Sequence, residues 1–321
     1  MVRRLSRLLV AGLLALAPTL TATAQELAGT LKKVKDTGTI VIGYREASPP
    51  FSYLPRPGEA GAASAEQCEE TAPRGEIEVG RPCVIGYSID LCREIVDEVS
   101  EELDRMPIRI RFRLVTPETR IPALQAGAID LECGSTTNNY LRRREVAFSP
   151  PFFFTGTRLL VRRPDNIRSY LDLKGKTVVV TAGTSNEAVI RKQNELQKLD
   201  LRVVTTPDHD ASFALFADKQ ADTFASDDIL LYGFIAQKKA DAELTVVGDM
   251  LSYDPYGIMY RKDDLGMAQA VERTFTRLAE TGAIVRLYNR WLLEPLPGGE
   301  RLNRPMTPQL EEALHSLGWP E

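Results

Sequence analysis

ECGSTTNN, at residues 132–139, and TAGTSNE, at residues 181–187, decide the fold of this chain. Each follows or ends an apolar segment typical of a buried strand, 129–133 in the first case and 178–180 in the second. Glycines and hydroxyl side chains at a strand end favour a loop that offers backbone N–H groups to a ligand. Because ligands of α/β proteins bind at the carboxyl ends of strands, the two loops predict two α/β lobes that face one cleft.

Alternating strand and helix patterns extend outward from both loops. Apolar or alternating segments predict strands at 39–43, 108–114, 129–133, 178–180, 201–204 and 221–225. Apolar residues at helical spacing predict helices at 90–99, 121–125, 142–147, 186–196, 212–217 and 229–237. This alternation in both halves predicts mixed or parallel sheets flanked by helices.

The composition is that of an ordinary globular protein. With 321 residues, of which 43% are hydrophobic, the chain is long enough for two domains with their own cores. Two histidines, His209 and His315, argue against a histidine-built metal site, and four cysteines without a CxxC spacing argue against a zinc ribbon. The net charge of −4, with one basic run at 142–144, argues against nucleic acid. We therefore expect a monomer without a metal, a cofactor or a nucleic-acid partner.

Residues 1–24 have the pattern of a signal peptide. Arginines at positions 3, 4 and 7 precede an apolar stretch at 8–20, and Ala22-Thr23-Ala24 forms an A-x-A cleavage site. A transmembrane anchor is the alternative, but the apolar stretch has about 13 residues where spanning a bilayer takes roughly 20. We expect cleavage after Ala24 and a soluble protein in the periplasm.

The four cysteines suggest two disulfides, which an exported protein can form. Cys68 and Cys83 bracket a segment rich in Gly, Ala and Glu, and a bridge there would contribute about 3 kcal/mol in the loop-entropy model. Cys92, on a predicted helix, and Cys133, at the end of a predicted strand, form the second pair. Buried free thiols are the alternative for both pairs.

Polar groups follow several of the predicted strands. The 132–139 loop, followed by Arg142, could hold a carboxylate through hydroxyls, N–H groups and a bidentate arginine. The 181–187 loop could do the same, and Asp227 could receive an ammonium group. Simple helix capping is the alternative for each of these features.

Three further cationic side chains point to a second anion on the ligand. Arg45 follows the first strand, Arg120 lies at a predicted helix start, and His209 lies in a polar loop; alone, each is more typical of a surface residue. A serine-hydrolase triad built on His209 has no support, since the chain has no GxSxG motif. If Arg142 and Asp227 hold an α-carboxylate and an α-ammonium, the cations left over favour an acidic amino acid.

A series of short motifs runs in order over about residues 30–317. They are GYRE at 43–46, PFSY at 50–53, GYS at 86–88, RIP at 120–122, ECGSTTNN at 132–139, GTRLL at 156–160, DLKGK at 172–176, DH at 208–209 and YG at 256–257. Together they resemble the periplasmic solute-binding proteins of polar amino-acid ABC transporters, and ECGSTTNN and RIP are specific to the glutamate/aspartate-binding branch.

The resemblance implies a periplasmic-binding-protein fold of type II, in which two α/β lobes joined by two hinge strands close on one amino acid. Lobe 1 would comprise residues 25–152 and 255–321, and lobe 2 residues 153–254. It further implies that the protein captures L-glutamate or L-aspartate and delivers it to the membrane subunits of an ABC permease, without a cofactor.

The resemblance also assigns a role to nine residues. Arg142, Ser135, Thr137 and Thr184 would hold the α-carboxylate, Asp227, Thr181 and Ser135 the α-ammonium, and Arg45, Arg120 and His209 the side-chain carboxylate. Two other functions are the alternatives for such a fold. One is an enzyme like cyclohexadienyl dehydratase, with His209 or Asp227 as general acid, and the other is the sensor domain of a receptor. We expect binding without catalysis.

Overall fold

The computed structural model describes residues 27–55 and 84–320. Its strands are β1 (Thr39–Tyr44), β2 (Ala47–Ser48), β3 (Ser52–Tyr53), β4 (Arg109–Leu114), β5 (Leu131–Glu132), β6 (Val146–Phe148), β7 (Phe153–Thr155), β8 (Thr157–Arg162), β9 (Thr177–Thr181), β10 (Arg202–Thr206), β11 (Thr223–Asp227), β12 (Leu244–Val247), β13 (Asp254–Tyr256) and β14 (Met259–Arg261). The predicted signal peptide and the predicted Cys68–Cys83 pair lie outside the described residues.

The helices flank two sheets. The α-helices are α1 (Gly29–Thr37), α2 (Tyr87–Glu102), α3 (Arg120–Gln125), α4 (Ser185–Gln197), α5 (His209–Ala217), α6 (Asp228–Lys238), α7 (Leu265–Glu280), α8 (Ala283–Leu292) and α9 (Pro308–Ser316), with 3-10 turns at Arg142–Arg144, Arg163–Asp165 and Tyr170–Leu173. Within the described ranges, no helix has the length and apolar character needed to cross a bilayer.

The first lobe is built on a mixed sheet with the strand order β4-β1-β5-β14-β6. β1 is parallel to β4 and β5, whereas β14 is antiparallel to β5 and β6. Ile40 and Ile42 of β1 share one core with Ile95 of α2 and Phe275 of α7, and all four side chains are fully buried. The helix predicted over 90–99 is therefore confirmed as part of this core, whereas α7, which packs beside it, was not predicted from the sequence.

The second lobe is built on a mixed sheet with the order β10-β9-β11-β8-β12. Val178 and Val180 of β9 contribute to one core cluster together with Ile190 of α4. Val179, between them, contributes to a second cluster on the other face, with Phe234 of α6. Both faces of β9 are covered, which confirms the buried parallel strand predicted from its continuous apolar run.

Two strands connect the lobes side by side. β7 and β13 form an antiparallel pair in which Phe153 faces Tyr256 and Thr155 faces Asp254. A further hydrogen bond of 2.9 Å runs from the Thr157 N–H to Ser252 Oγ. The two chain crossings thus form one short ribbon, the arrangement in which a few residues can absorb a rotation of one lobe against the other.

The helix predicted at 142–147 is wrong. A 3-10 turn covers Arg142–Arg144, and the chain then enters β6. β6 pairs with β14, with Val146 opposite Arg261 and Phe148 opposite Met259. The arginine-rich turn is helix-compatible locally, but pairing with a strand more than a hundred residues away overrides that preference after Glu145.

The disulfide between Cys92 and Cys133 is confirmed. It joins Cys92, in the buried stretch 87–92 of α2, to the residue that follows β5. Ser88 Oγ, also on α2, donates to the Gly134 carbonyl over 2.8 Å. The start of the 134–137 loop is therefore attached to α2 at two neighbouring points.

Candidate ligand-binding site

One cavity brings together almost all the side chains that the sequence singled out. It is lined by Arg45, Arg120, Ser135, Thr137, Arg142, Thr184, Ser185, Asn186, His209 and Asp227. All ten lining residues are polar or charged. A cavity of this kind suits a small, charged molecule, because its lining offers charges and hydrogen bonds rather than apolar side chains.

The two sheets present these residues at strand ends. In the first lobe, Arg45 directly follows β1, and Ser135 and Thr137 follow β5; in the second, Thr184 follows β9, His209 follows β10, and Asp227 ends β11. Parallel strands expose their carboxyl ends at one edge of a sheet. In each lobe the loops at this edge line the same cavity, which therefore lies between the lobes.

Arg142 bridges the two lobes. Its Nη1 donates to the Thr137 carbonyl over 2.9 Å and its Nη2 to the Gly183 carbonyl over 3.3 Å. Burial, together with the nearby Arg120, lowers the pKa of Arg142 to about 9. Among the described residues no carboxylate forms an ion pair with Arg142, and the more distant Glu132, Asp227 and Asp254 offset its desolvation only in part. A ligand carboxylate would supply a direct counter-ion.

Arg45 and Arg120 are each 2% exposed and keep unpaired donors. Arg45 Nη1 and Arg120 Nε have no hydrogen-bond partner within the part of the chain that the structure describes. Burial lowers the pKa of both side chains. The pKa of Arg45 falls to about 10, and the positive charge of Arg120 is the second cause of that shift. Two adjacent buried cations with free N–H groups are costly unless an anion binds them.

Thr181 does not line the cavity but bonds to His209. Its hydroxyl lies 2.7 Å from His209 Nδ1 and 2.8 Å from Ser212 Oγ. Burial, reinforced by Arg45 and Arg120, holds the pKa of His209 well below its usual value. His209 is therefore a neutral imidazole, which can give the ligand a hydrogen bond but no charge.

Asp227 faces the arginines from the second lobe. It is 3% exposed, accepts from Asn186 Nδ2 over 2.8 Å and accepts from the Tyr256 hydroxyl over 2.5 Å. Burial, with Asp254 as the next cause, raises its pKa to about 7. Although Asp227 is the N-cap residue directly before α6, its side chain caps no helix N–H, so capping does not explain it.

Capping does apply to the 181–187 loop. Thr184 Oγ1 accepts from the Glu187 N–H over 3.2 Å and donates to the Thr181 carbonyl over 2.7 Å. The sequence analysis missed Ser185 and Asn186 as lining residues and Tyr256 as the partner of Asp227. Asn186 lies inside the quoted 181–187 motif and Tyr256 inside the YG motif, but neither motif indicates which side chain they contact.

Residues 70–294 match the model of the bacterial extracellular solute-binding proteins, family 3. The chain belongs to this family. A solute-binding protein of Pseudomonas aeruginosa, named L-glutamate/L-aspartate-binding protein, is 40% identical over 97% of this chain and 95% of its own length. The glutamate/aspartate import solute-binding protein of Escherichia coli is 35% identical over 84% of this chain and 81% of its own.

Solved structures share the fold. A mutant of ArgBP from T. maritima superposes with a TM-score of 0.66 at 24% identity, over 81% of this chain and 98% of that one. An ancestral amino acid-binding protein described as a precursor of cyclohexadienyl dehydratase superposes with a TM-score of 0.63 at 23% identity, over 82% and 99%. These similarities confirm the type II fold of two lobes joined by hinge strands, and the relatives by sequence identify a solute-binding protein rather than a dehydratase.

Proposed function

We propose that this solute-binding protein captures L-glutamate or L-aspartate in the periplasm and delivers it to the membrane subunits of an ABC permease. The observation that carries the proposal is the pair of buried arginines, Arg45 and Arg120, with unpaired donors inside a closed polar cavity. The names of the two relatives described above point to the same ligands.

The chemistry of an α-amino acid divides the cavity into two parts. Arg142, Ser135, Thr137 and Thr184 hold the α-carboxylate, and Asp227 with Ser135 holds the α-ammonium. Thr181, which the resemblance assigned to the ammonium group, does not line the cavity; its hydroxyl bonds to the imidazole, so Thr181 orients His209 on the side of the side-chain carboxylate. Arg45, Arg120 and His209 then remain for a side-chain carboxylate, which is why an acidic ligand fits better than a neutral one.

Closure of the lobes completes the site. Lobe 1 comprises residues 25–152 and 255–321, and lobe 2 residues 153–254, with the β7–β13 ribbon as the hinge. The Arg142–Gly183 hydrogen bond and the 3.1 Å contact between Thr137 Oγ1 and Ser185 Oγ join the two lobes beside the ligand. The protein acts as a monomer, is exported, and loses its signal peptide after Ala24.

The test is a calorimetric screen of the mature protein, beginning at Gln25, against the twenty amino acids. We expect one-to-one binding of glutamate and aspartate, with glutamine and asparagine at least tenfold weaker because they lose charge-assisted hydrogen bonds. Tighter binding of any neutral amino acid would contradict the proposed ligand. The mass of the protein recovered from a periplasmic extract checks the cleavage site.

A further inference from the structure

Glu132 is a fully buried carboxylate next to the cavity that the ligand contacts above do not use. Its residue is 0% exposed and ends β5, three residues before Ser135. An ionised carboxylate in the interior is costly unless nearby groups compensate it. The groups that contact Glu132 therefore determine how its charge affects the cavity.

One carboxylate oxygen of Glu132 reaches Arg120 through a hydroxyl group. Thr136 Oγ1 donates to Glu132 Oε2 over 2.7 Å, and Arg120 Nη1 donates to Thr136 Oγ1 over 2.5 Å. The other oxygen, Oε1, has no hydrogen-bond partner among residues 27–55 and 84–320. A Cβ atom on residue 134 would clash with this oxygen, so Gly134 lets the backbone of the binding loop pass close to it.

The negative charge of Glu132 acts on every arginine of the cavity. Burial lowers the pKa of Arg45, Arg120 and Arg142, and Glu132 opposes this shift at all three. The three guanidinium groups, with Asp227 and Glu132, form a group of five that carries one net positive charge when both carboxyls are ionised. An amino acid with a second carboxylate carries the one negative charge that neutralises this group.

We propose that Glu132 sets the charge of the cavity and thereby limits how strongly the site prefers an anionic side chain to its neutral amide. The inference rests on the proposed function, since it presumes an amino-acid ligand held by these arginines. Without the charge of Glu132 the five positions carry two positive charges. A ligand carboxylate then gains attraction that a ligand amide does not.

The test compares glutamate with glutamine in wild type and in Glu132→Gln. The two ligands share the same α-groups and nearly the same shape, so the ratio of their affinities isolates the side-chain charge. We expect the glutamate-over-glutamine ratio to rise at least tenfold in Glu132→Gln, because at an effective dielectric constant of about 20 one charge within about 12 Å of the ligand carboxylate changes its binding constant by about tenfold or more. A ratio that stays the same or falls would overturn the inference.

Two further variants separate charge from position. Glu132→Asp keeps the charge but shortens the reach to Thr136, so its ratio should stay near that of wild type; a rise equal to that of Glu132→Gln would mean that position matters and would overturn the inference. If Glu132→Gln fails to fold, Glu132→Ala removes the same charge and should raise the ratio in the same way; an unchanged ratio in that variant would overturn the inference. Asp130→Asn, which neutralises a buried carboxylate paired with Lys33 and Arg261 away from the cavity, should leave the ratio unchanged.

The outcome for the wild-type protein is read separately. If wild type binds glutamate and the ratio does not respond to Glu132→Gln, only the role of Glu132 is wrong. If wild type binds no acidic amino acid, the proposed function is wrong and the inference falls with it.

Discussion

At the scale of single residues, Arg142 and Arg143 are neighbours with different surroundings. Arg142 lines the cavity and donates to the Thr137 carbonyl of its own lobe and to the Gly183 carbonyl of the other lobe, whereas Arg143 is exposed and donates to Asn138 Oδ1 over 3.1 Å. We expect Arg142→Ala to cost about 3–5 kcal/mol of glutamate binding, because it leaves a desolvated carboxylate unpaired. This corresponds to a weakening of roughly two to three orders of magnitude, measured by calorimetry.

Arg143→Ala is the matched control and should bind glutamate as wild type does. It removes the same charge from the next position in the chain. If Arg142→Ala binds within about threefold of Arg143→Ala, Arg142 does not hold the α-carboxylate.

Asp227 makes binding dependent on pH. Its pKa of about 7 in the ligand-free protein, against 3.8 for an ordinary aspartate, means that the folded protein holds this proton more tightly than the unfolded chain does. This group therefore lowers the free energy of unfolding as the pH rises through that interval. A ligand ammonium favours the ionised form, so we expect glutamate affinity to fall by up to about tenfold per pH unit below pH 7.

The measurement is calorimetry between about pH 5.5 and pH 8, where the glutamate side chain stays ionised. His209 should not contribute to the change, because burial and the two neighbouring arginines hold its pKa well below 6.5. Asp227→Asn is the control and should bind weakly with no pH dependence in this window. A flat wild-type profile would contradict the pairing of Asp227 with the ammonium.

At the scale of elements, the Cys92–Cys133 disulfide ties α2 to the strand that carries the binding loop. The bridge spans a sequence separation of 41 residues. In the loop-entropy model such a bridge contributes about 4 kcal/mol by restricting the unfolded chain. We expect Cys92→Ala/Cys133→Ala to lose about that much free energy of unfolding, measured with urea.

The double substitution avoids leaving a lone thiol in the core. Its glutamate affinity, measured well below the unfolding transition, is the control for the binding loop, which Ser88 still holds at Gly134. A free energy of unfolding within about 1 kcal/mol of wild type would mean that the disulfide adds little to stability.

At the scale of the whole molecule, Gly183 is where the second lobe closes against the first. Its φ is +71°, and a Cβ atom there would lie 2.8 Å from Glu118 Cγ and 3.2 Å from the Glu118 nitrogen. We expect Gly183→Ala to weaken glutamate binding roughly tenfold, because the added methyl group opposes closure. Surface plasmon resonance or calorimetry would measure it.

Gly175 provides the matched control for Gly183. It lies in the same lobe with a φ of +72°, but a Cβ atom there would meet nothing within 4 Å. Gly175→Ala therefore carries the same backbone strain without the contact between lobes, and it should lower stability without lowering affinity. Equal affinities for the two variants would show that Gly183 does not limit closure.

Much of this protein could be predicted from the amino-acid sequence. The α/β architecture and the two binding loops follow from local patterns: a continuous apolar run such as Val178–Val180 for a strand covered on both faces, and loops rich in glycine and hydroxyls at strand ends. The roles of the individual lining residues came from the family resemblance. Because the strand ends of both lobes face one cleft, Arg142 and Asp227 could be assigned to one site from the sequence.

Only the tertiary structure decided which polar groups pair. Tyr256 donates to Asp227 across 29 positions, and Asn186 donates to the same carboxylate across 41. Glu132 approaches Arg120 through Thr136, and the 3-10 turn at Arg142–Arg144 gives way to β6 because β14 lies beside it. Side-chain pairs and strand partners of this kind depend on how distant segments are brought together, and the periodicity of a single segment carries no information about that.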